Sequence, residues 1–207
     1  MAQNYDAVIF GLDGVLWNTC ELRAKAWTEA ISQMGGHRVI DSHDIESISG
    51  HILADALKEL IPTLGEQHFF QVLSVINQTE KKWIEPNPGC IYEGVLETLP
   101  QLAQKVPLYL VSSSQQWYAE AFLNHTKTSS YFSDWNSFGR SNRSKEEMIK
   151  EIVEKHQLKN PLFIGDTVLD SMAAQRASVK FGFVTYGFGS VKAQPKFEKF
   201  SEILNLF

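Results

Sequence analysis

Residues 7–16 read Ala7-Val8-Ile9-Phe10-Gly11-Leu12-Asp13-Gly14-Val15-Leu16. A short run of apolar, partly β-branched residues closed by Asp-Gly predicts a buried strand that ends at the edge of a parallel sheet, where α/β proteins place their ligands. Asp13 is then delivered to that edge, and Gly14 permits the sharp turn after it. Gly11 is the anomaly, a residue without a side chain at the point where the strand stops.

The segment that follows is helical. Leu22, Ala26, Trp27, Ala30 and Ile31 share one face of a helix over 19–34 that stops at Gly35-Gly36. A second helical region over 44–60 carries a potential break near Gly50, and Phe69, Val72, Leu73 and Ile76 form the apolar face of another helix over 66–83. Two prolines and a glycine in Glu85-Pro86-Asn87-Pro88-Gly89 end this run. Beyond it helices and strands alternate: helix 92–104, strand 108–111, helices 115–124 and 145–157, strand 162–164, helix 168–177, strand 181–184. Such alternation predicts a doubly wound parallel sheet whose carboxyl edge gathers Gly11, Asp13, Ser112 and Asp166. The expected domains are an α/β core formed by residues 1–17 and 87–207 and a helical domain, 18–86, inserted between them.

The chain of 207 residues suits one sizeable core with such an insert. A net charge of −5 without a basic stripe argues against nucleic acid and anionic membranes as partners. The start Met-Ala-Gln-Asn-Tyr-Asp lacks a positive region with an apolar run behind it, so a cytoplasmic location is expected. Cys20 and Cys90 form no metal-binding pattern and read as two free thiols.

Four clusters carry chemistry. Asp13 can exchange a proton with a reacting group, although an Asp-Gly pair also serves as a plain turn. Ser112, at the end of a strand and opening Ser112-Ser113-Ser114, offers a hydroxyl and free N–H groups to an oxyanion, while Ser114 is expected to cap the next helix. Lys145 follows Ser144 in a capping box with Glu147, on a first turn where the helix dipole disfavours a cation, so either a function or simple solvation accounts for it. Asp166 and Asp170 flank a turn after Leu162-Phe163-Ile164-Gly165, and paired carboxylates there suit magnesium, whereas Asp166 or Thr167 also suits a helix cap.

In order and spacing these clusters resemble the four motifs of the haloacid dehalogenase (HAD) superfamily, and the helical insert resembles the cap of its phosphoglycolate-phosphatase-like and β-phosphoglucomutase-like members. The resemblance implies a HAD-like Rossmannoid core with an inserted helical cap, acting on a small phosphomonoester, a phosphorylated metabolite, with Mg2+. It further implies Asp13 as general acid/base and, through its backbone carbonyl, a metal ligand. Ser112, Ser113 and Lys145 become phosphate ligands, with Asp166 and Asp170 holding the metal or supporting it. Asn18, Thr19, Arg23 and Trp27 fall at cap-hinge and substrate-facing positions, and His51 in the specificity loop. Leu53 stands where β-phosphoglucomutase-like chains carry an arginine, which departs from sugar-phosphate mutases.

Gly11 occupies the position of the family's covalent nucleophile, an Asp that is also a metal ligand. The chain is therefore expected to be a phosphatase scaffold that is inactive or strongly impaired; the alternative is a non-catalytic protein that binds a phosphometabolite or a protein partner in the same pocket.

Overall fold

The computed structural model describes residues 5–207; Met1–Asn4, part of the start considered above, lie outside the described residues. Strand β1 (Ala7–Phe10) is fully buried along its length. Its alternation sends Val8 and Phe10 into one apolar layer and Ala7 and Ile9 into the other. Burial on both faces is why the strand reads as a continuous apolar run.

The chain leaves β1 through β2 (Trp17–Asn18) and enters the helices α1 (Cys20–Gln33), α2 (Ser42–Ser47), α3 (Leu53–Leu60) and α4 (Glu66–Ile84). It returns through β3 (Cys90–Ile91), which pairs antiparallel with β2. The break expected near Gly50 separates α2 from α3, and Gly50 itself has φ of +88°, which favours glycine. Trp27, Ile45, Leu57 and Ile76 are fully buried in an apolar cluster drawn from these four helices and joined by Phe188 of the core. This is the helical cap.

After α5 (Val95–Ala103) come β4 (Leu108–Ser112), α6 (Gln116–Thr126), β5 (Phe132–Ser137), the short α7 (Phe138–Ser141), α8 (Lys145–Lys155), β6 (Pro161–Gly165), α9 (Val168–Arg176), β7 (Lys180–Val184) and β8 (Lys196–Phe197). The six core strands form one parallel sheet in the order β5-β4-β1-β6-β7-β8. Residues on both sides of β1 are in register: Ile9 faces Tyr109 of β4 and Phe163 of β6. The chain winds outward from β1 first through β4 and β5, then through β6 to β8, so the order reverses at β1. A doubly wound sheet binds ligands at that reversal. β5 and β8 and the β2–β3 ribbon lie outside the sequence-based expectation. β5 carries Ser133, Asp134 and Asn136 and lacks an apolar run, and the other three are only two residues long.

Both cysteines are unpaired, Cys20 buried and Cys90 exposed. Burial raises the Cys20 thiol to about 12, so almost none of it is thiolate near neutrality. A native protein treated with a disulfide reagent at pH 8 is expected to release one equivalent rapidly, from Cys90, and the second only on denaturation. Loss of the fast phase in Cys90→Ser assigns it.

Candidate active site

The carboxyl ends of β1, β4 and β6 meet the cap around a small cavity of about 40 Å³. Asp13, Ser112, Ser113, Lys145, Asp166, Asp170, Arg23 and His51 all line it, so residues 157 positions apart in sequence share one site. Gly11 and Asn18 are absent from the lining. The Gly11 N–H donates to the Ile164 carbonyl at 2.8 Å, and a side chain there would meet Val15 Cγ2 at 3.3 Å from its Cβ. Asn18 belongs to the ribbon, where its Oδ1 accepts the Cys20 N–H at 2.9 Å.

Asp13 follows the end of β1. Burial pushes its carboxyl upward, while Arg23 and a short hydrogen bond from the Tyr118 hydroxyl counter that shift. Tyr118 is itself buried on α6 and lies 2.5 Å from Thr19 Oγ1, the residue that opens α1. The carboxylate orientation is thus shared between the core and the start of the cap.

At the end of β4, Ser112 Oγ donates to Ser114 Oγ at 2.9 Å and accepts the Ser114 N–H at 3.1 Å. The cap expected from Ser114 is not formed: Gln115 precedes α6, and no side chain caps it. The first turn of α6 thereby keeps uncapped N–H groups, and Gln115, Trp117 and Tyr118 of that region line the cavity. Such a helix start attracts an oxyanion.

Lys145 and Asp170 form a buried ion pair with Nζ 2.5 Å from Oδ1. Ser144 and Glu147 make the expected capping box, which places Lys145 on the first turn of α8. Thr167 caps α9 reciprocally with Asp170. Asp170 Oδ2 accepts the N–H groups of Asp166 and Thr167 and the Thr167 hydroxyl. Burial works against this carboxylate, but Lys145 and these donors hold it below the ordinary carboxylate range. Asp166 moves the other way, raised by burial and by the neighbouring charge of Asp170.

Asp166 is only 1% exposed, its Oδ2 accepts the Phe188 N–H at 2.8 Å, and its Oδ1 has no hydrogen-bond partner. A buried carboxylate oxygen without a donor is matched by a hard cation. Gly14, with φ of +73°, is required beside it, because a Cβ there would fall inside the Asp166 carboxylate.

From the cap, Arg23 Nε donates to Glu80 Oε1 at 2.8 Å, and Trp27 Nε1 donates to the same oxygen at 2.6 Å. Burial opposes the Arg23 charge, and Glu80 overcomes that effect, so the guanidinium stays cationic. His51 lies 3.2 Å from Glu59. Glu80 and Tyr118 escaped the sequence reading. A signal for Glu80 exists: with Val72, Ile76 and Ile84 it completes an i, i+4 stripe of buried residues on α4, and a carboxylate in an apolar stripe requires a partner.

The model of the haloacid dehalogenase-like hydrolases matches residues 8–184, most of the chain. The chain belongs to that family. This hydrolase is similar in structure to a haloacid dehalogenase-like family hydrolase from Streptococcus pneumoniae, at 20% identity, a TM-score of 0.85 and 97% coverage of each chain. It is also similar to a Haemophilus somnus protein described as a predicted phosphoglycolate phosphatase, at 21% identity, a TM-score of 0.85, and coverage of 98% of this chain and 97% of the other. At such identities the likeness carries the fold of the HAD hydrolase, and its chemistry rests on its own residues. The doubly wound sheet and helical cap expected of it are present. Among the described residues no helix is long and apolar enough to cross a membrane.

Removing Glu80 strands a half-buried arginine and a buried indole N–H. Glu80→Ala is expected to lower unfolding free energy by about 3 kcal/mol in urea denaturation, with Glu80→Gln losing less because it retains an acceptor. Equal losses in both variants would show that the charge of Glu80, rather than its hydrogen bonding, is what matters.

Proposed function

We propose that this HAD hydrolase is a phosphatase scaffold for a small phosphomonoester, with magnesium as hydrolases of the family generally use, and that turnover is disabled at Gly11. The observation that carries the reading is the lining of one cavity: Asp13, Ser112, Ser113, Lys145, Asp166 and Asp170 converge there, while position 11 contributes no side chain.

In this reading the phosphoryl oxygens lie against the Ser112 hydroxyl, the N–H groups that open α6, and the Lys145 ammonium, which neutralises charge as it develops. Asp13, kept in place by Tyr118, faces the leaving oxygen and gives it a proton. Arg23 and His51 contact the organic part of the ligand from the cap, which spans 18–86. Magnesium would be held by Asp166 Oδ1 and the Asp13 backbone carbonyl, and it supplies neutralisation of phosphoryl charge. Asp170 supports this site by holding Lys145 and α9.

What the chain lacks is the atom that attacks phosphorus. Loss of a covalent nucleophile costs about 10⁴- to 10⁶-fold in kcat, which corresponds to roughly 5–8 kcal/mol of barrier. The second reading, a binding protein for a phosphometabolite or a protein partner, draws on the same glycine.

Gly11→Asp separates them. The backbone at Gly11 lies outside the left-handed region, and the nearest atom to a new Cβ is a movable methyl of Val15, so the variant is expected to fold. Phosphate release from an aryl phosphate and a panel of small phosphomonoesters, with magnesium, is expected to rise at least about 10³-fold in Gly11→Asp over the chain as it stands. No release from either protein, with ligand still bound, would establish the binding reading. Full activity of the unaltered chain would remove position 11 from the chemistry.

A further inference from the structure

The site's cation and anion requirements are separately unmet, and this asymmetry bears on the order in which it fills. Asp170 has no oxygen to give a metal. Its Oδ1 takes Lys145 Nζ at 2.5 Å, and its Oδ2 takes the N–H of Asp166 at 3.2 Å, the N–H of Thr167 at 3.1 Å and the Thr167 hydroxyl at 2.8 Å. Asp166 Oδ2 takes the Phe188 N–H. Gly11 offers no side-chain oxygen at all. Asp166 Oδ1 is buried and without a partner, and Asp13, which also lines the cavity, has its Oδ1 taken by the Tyr118 hydroxyl. Among the described residues no three His, Cys, Asp or Glu side chains gather into a cation cage. Magnesium demands six oxygens in a near-octahedral arrangement and fills what the protein lacks with water and phosphate oxygens. A lone divalent cation therefore finds fewer side-chain ligands than it needs.

A lone phosphoryl group fares no better. Both cavity cations are already paired, Lys145 with Asp170 and Arg23 with Glu80. A phosphate dianion entering such a site alone meets no unpaired lysine or arginine in the lining. Entering with a divalent cation, it adds no net charge, and it supplies the metal with the oxygens that Gly11 and Asp170 do not.

Resting on the phosphatase-scaffold reading, we infer that in this chain a divalent cation and a phosphoryl ligand bind as a pair, each weak alone and each raising the other's affinity. Linkage requires the two enhancements to be equal. The property is a consequence of Gly11: an aspartate there would add a carboxylate oxygen that lets the metal bind first.

Manganese(II), an oxygen-seeking cation whose free-ion paramagnetic resonance signal disappears on binding, serves as the probe, with inorganic phosphate as the ligand. Titrated into the full chain, manganese is expected to bind at least about tenfold more tightly with saturating phosphate than without it. Calorimetry is expected to show phosphate affinity rising by the same factor when manganese is present. In Gly11→Asp, manganese is expected to bind without phosphate, shrinking the factor. In Asp166→Asn, checked for an unchanged thermal melt, the mutual enhancement is expected to disappear. Equal manganese affinity with and without phosphate, while phosphate itself binds, would overturn the pairing and leave the scaffold reading intact. Failure of phosphate to bind under any metal condition would overturn both.

Discussion

The buried carboxylate of Asp170 is the point on which the site's geometry rests. One oxygen holds the ammonium of Lys145 at the start of α8, and the other gathers the N–H groups of Asp166 and Thr167 at the end of β6. Three segments distant in sequence or direction are fixed by one side chain. Burying an isolated carboxylate is costly, and here an ion pair and charge-assisted hydrogen bonds offset that cost. The same contacts fix Asp166 beside Gly14, so the first and last motifs along the chain meet at the mouth of the sheet.

This arrangement is internally satisfied without a ligand. Lys145, Asp13 and Arg23 each have a protein partner, namely Asp170, Tyr118 and Glu80. Asp166 Oδ1 is the exception, along with the Ser137 hydroxyl at the end of β5. The side chains that line the cavity are thus held in place by the protein's own contacts. The cap contributes to that support: Thr19 reaches the Tyr118 hydroxyl that donates to Asp13, and Phe188, whose N–H meets Asp166, packs into the cap's apolar cluster.

Much of this was legible beforehand. β1, β4 and β6 announce themselves because strands buried on both faces are apolar throughout, and the cap helices because one face of each is apolar. The break at Gly50 and the capping box at Ser144 follow from local backbone chemistry, and of the residues expected to gather at the carboxyl edge Asp13, Ser112 and Asp166 line the cavity while Gly11 does not. β5 stayed hidden because its sequence, Phe132-Ser133-Asp134-Trp135-Asn136-Ser137, is that of an edge strand whose polar side chains find partners only in the folded state: Asp134 meets Lys155 and His156, and Asn136 meets Glu151. Ser114 was misread as a helix cap because three consecutive serines carry the same propensity, and only tertiary contacts decide which of them turns inward. Tyr118 carried no signal, since a pattern registers its ring and not the direction of its hydroxyl.

The β2–β3 ribbon carries a further consequence. The cap departs and returns through two strands paired side by side, Trp17 opposite Ile91 and Asn18 opposite Cys90. For the core, the intervening residues are therefore a loop whose two ends are already held together, and the entropy of closing such a loop grows only as the logarithm of its length, about 0.6 kcal/mol for each doubling. Whatever is spliced between those strands leaves the sheet's own stability nearly untouched. The ribbon thus acts as a socket: one core can carry caps of quite different size, and selectivity for a ligand can be rebuilt there without renegotiating the fold beneath it.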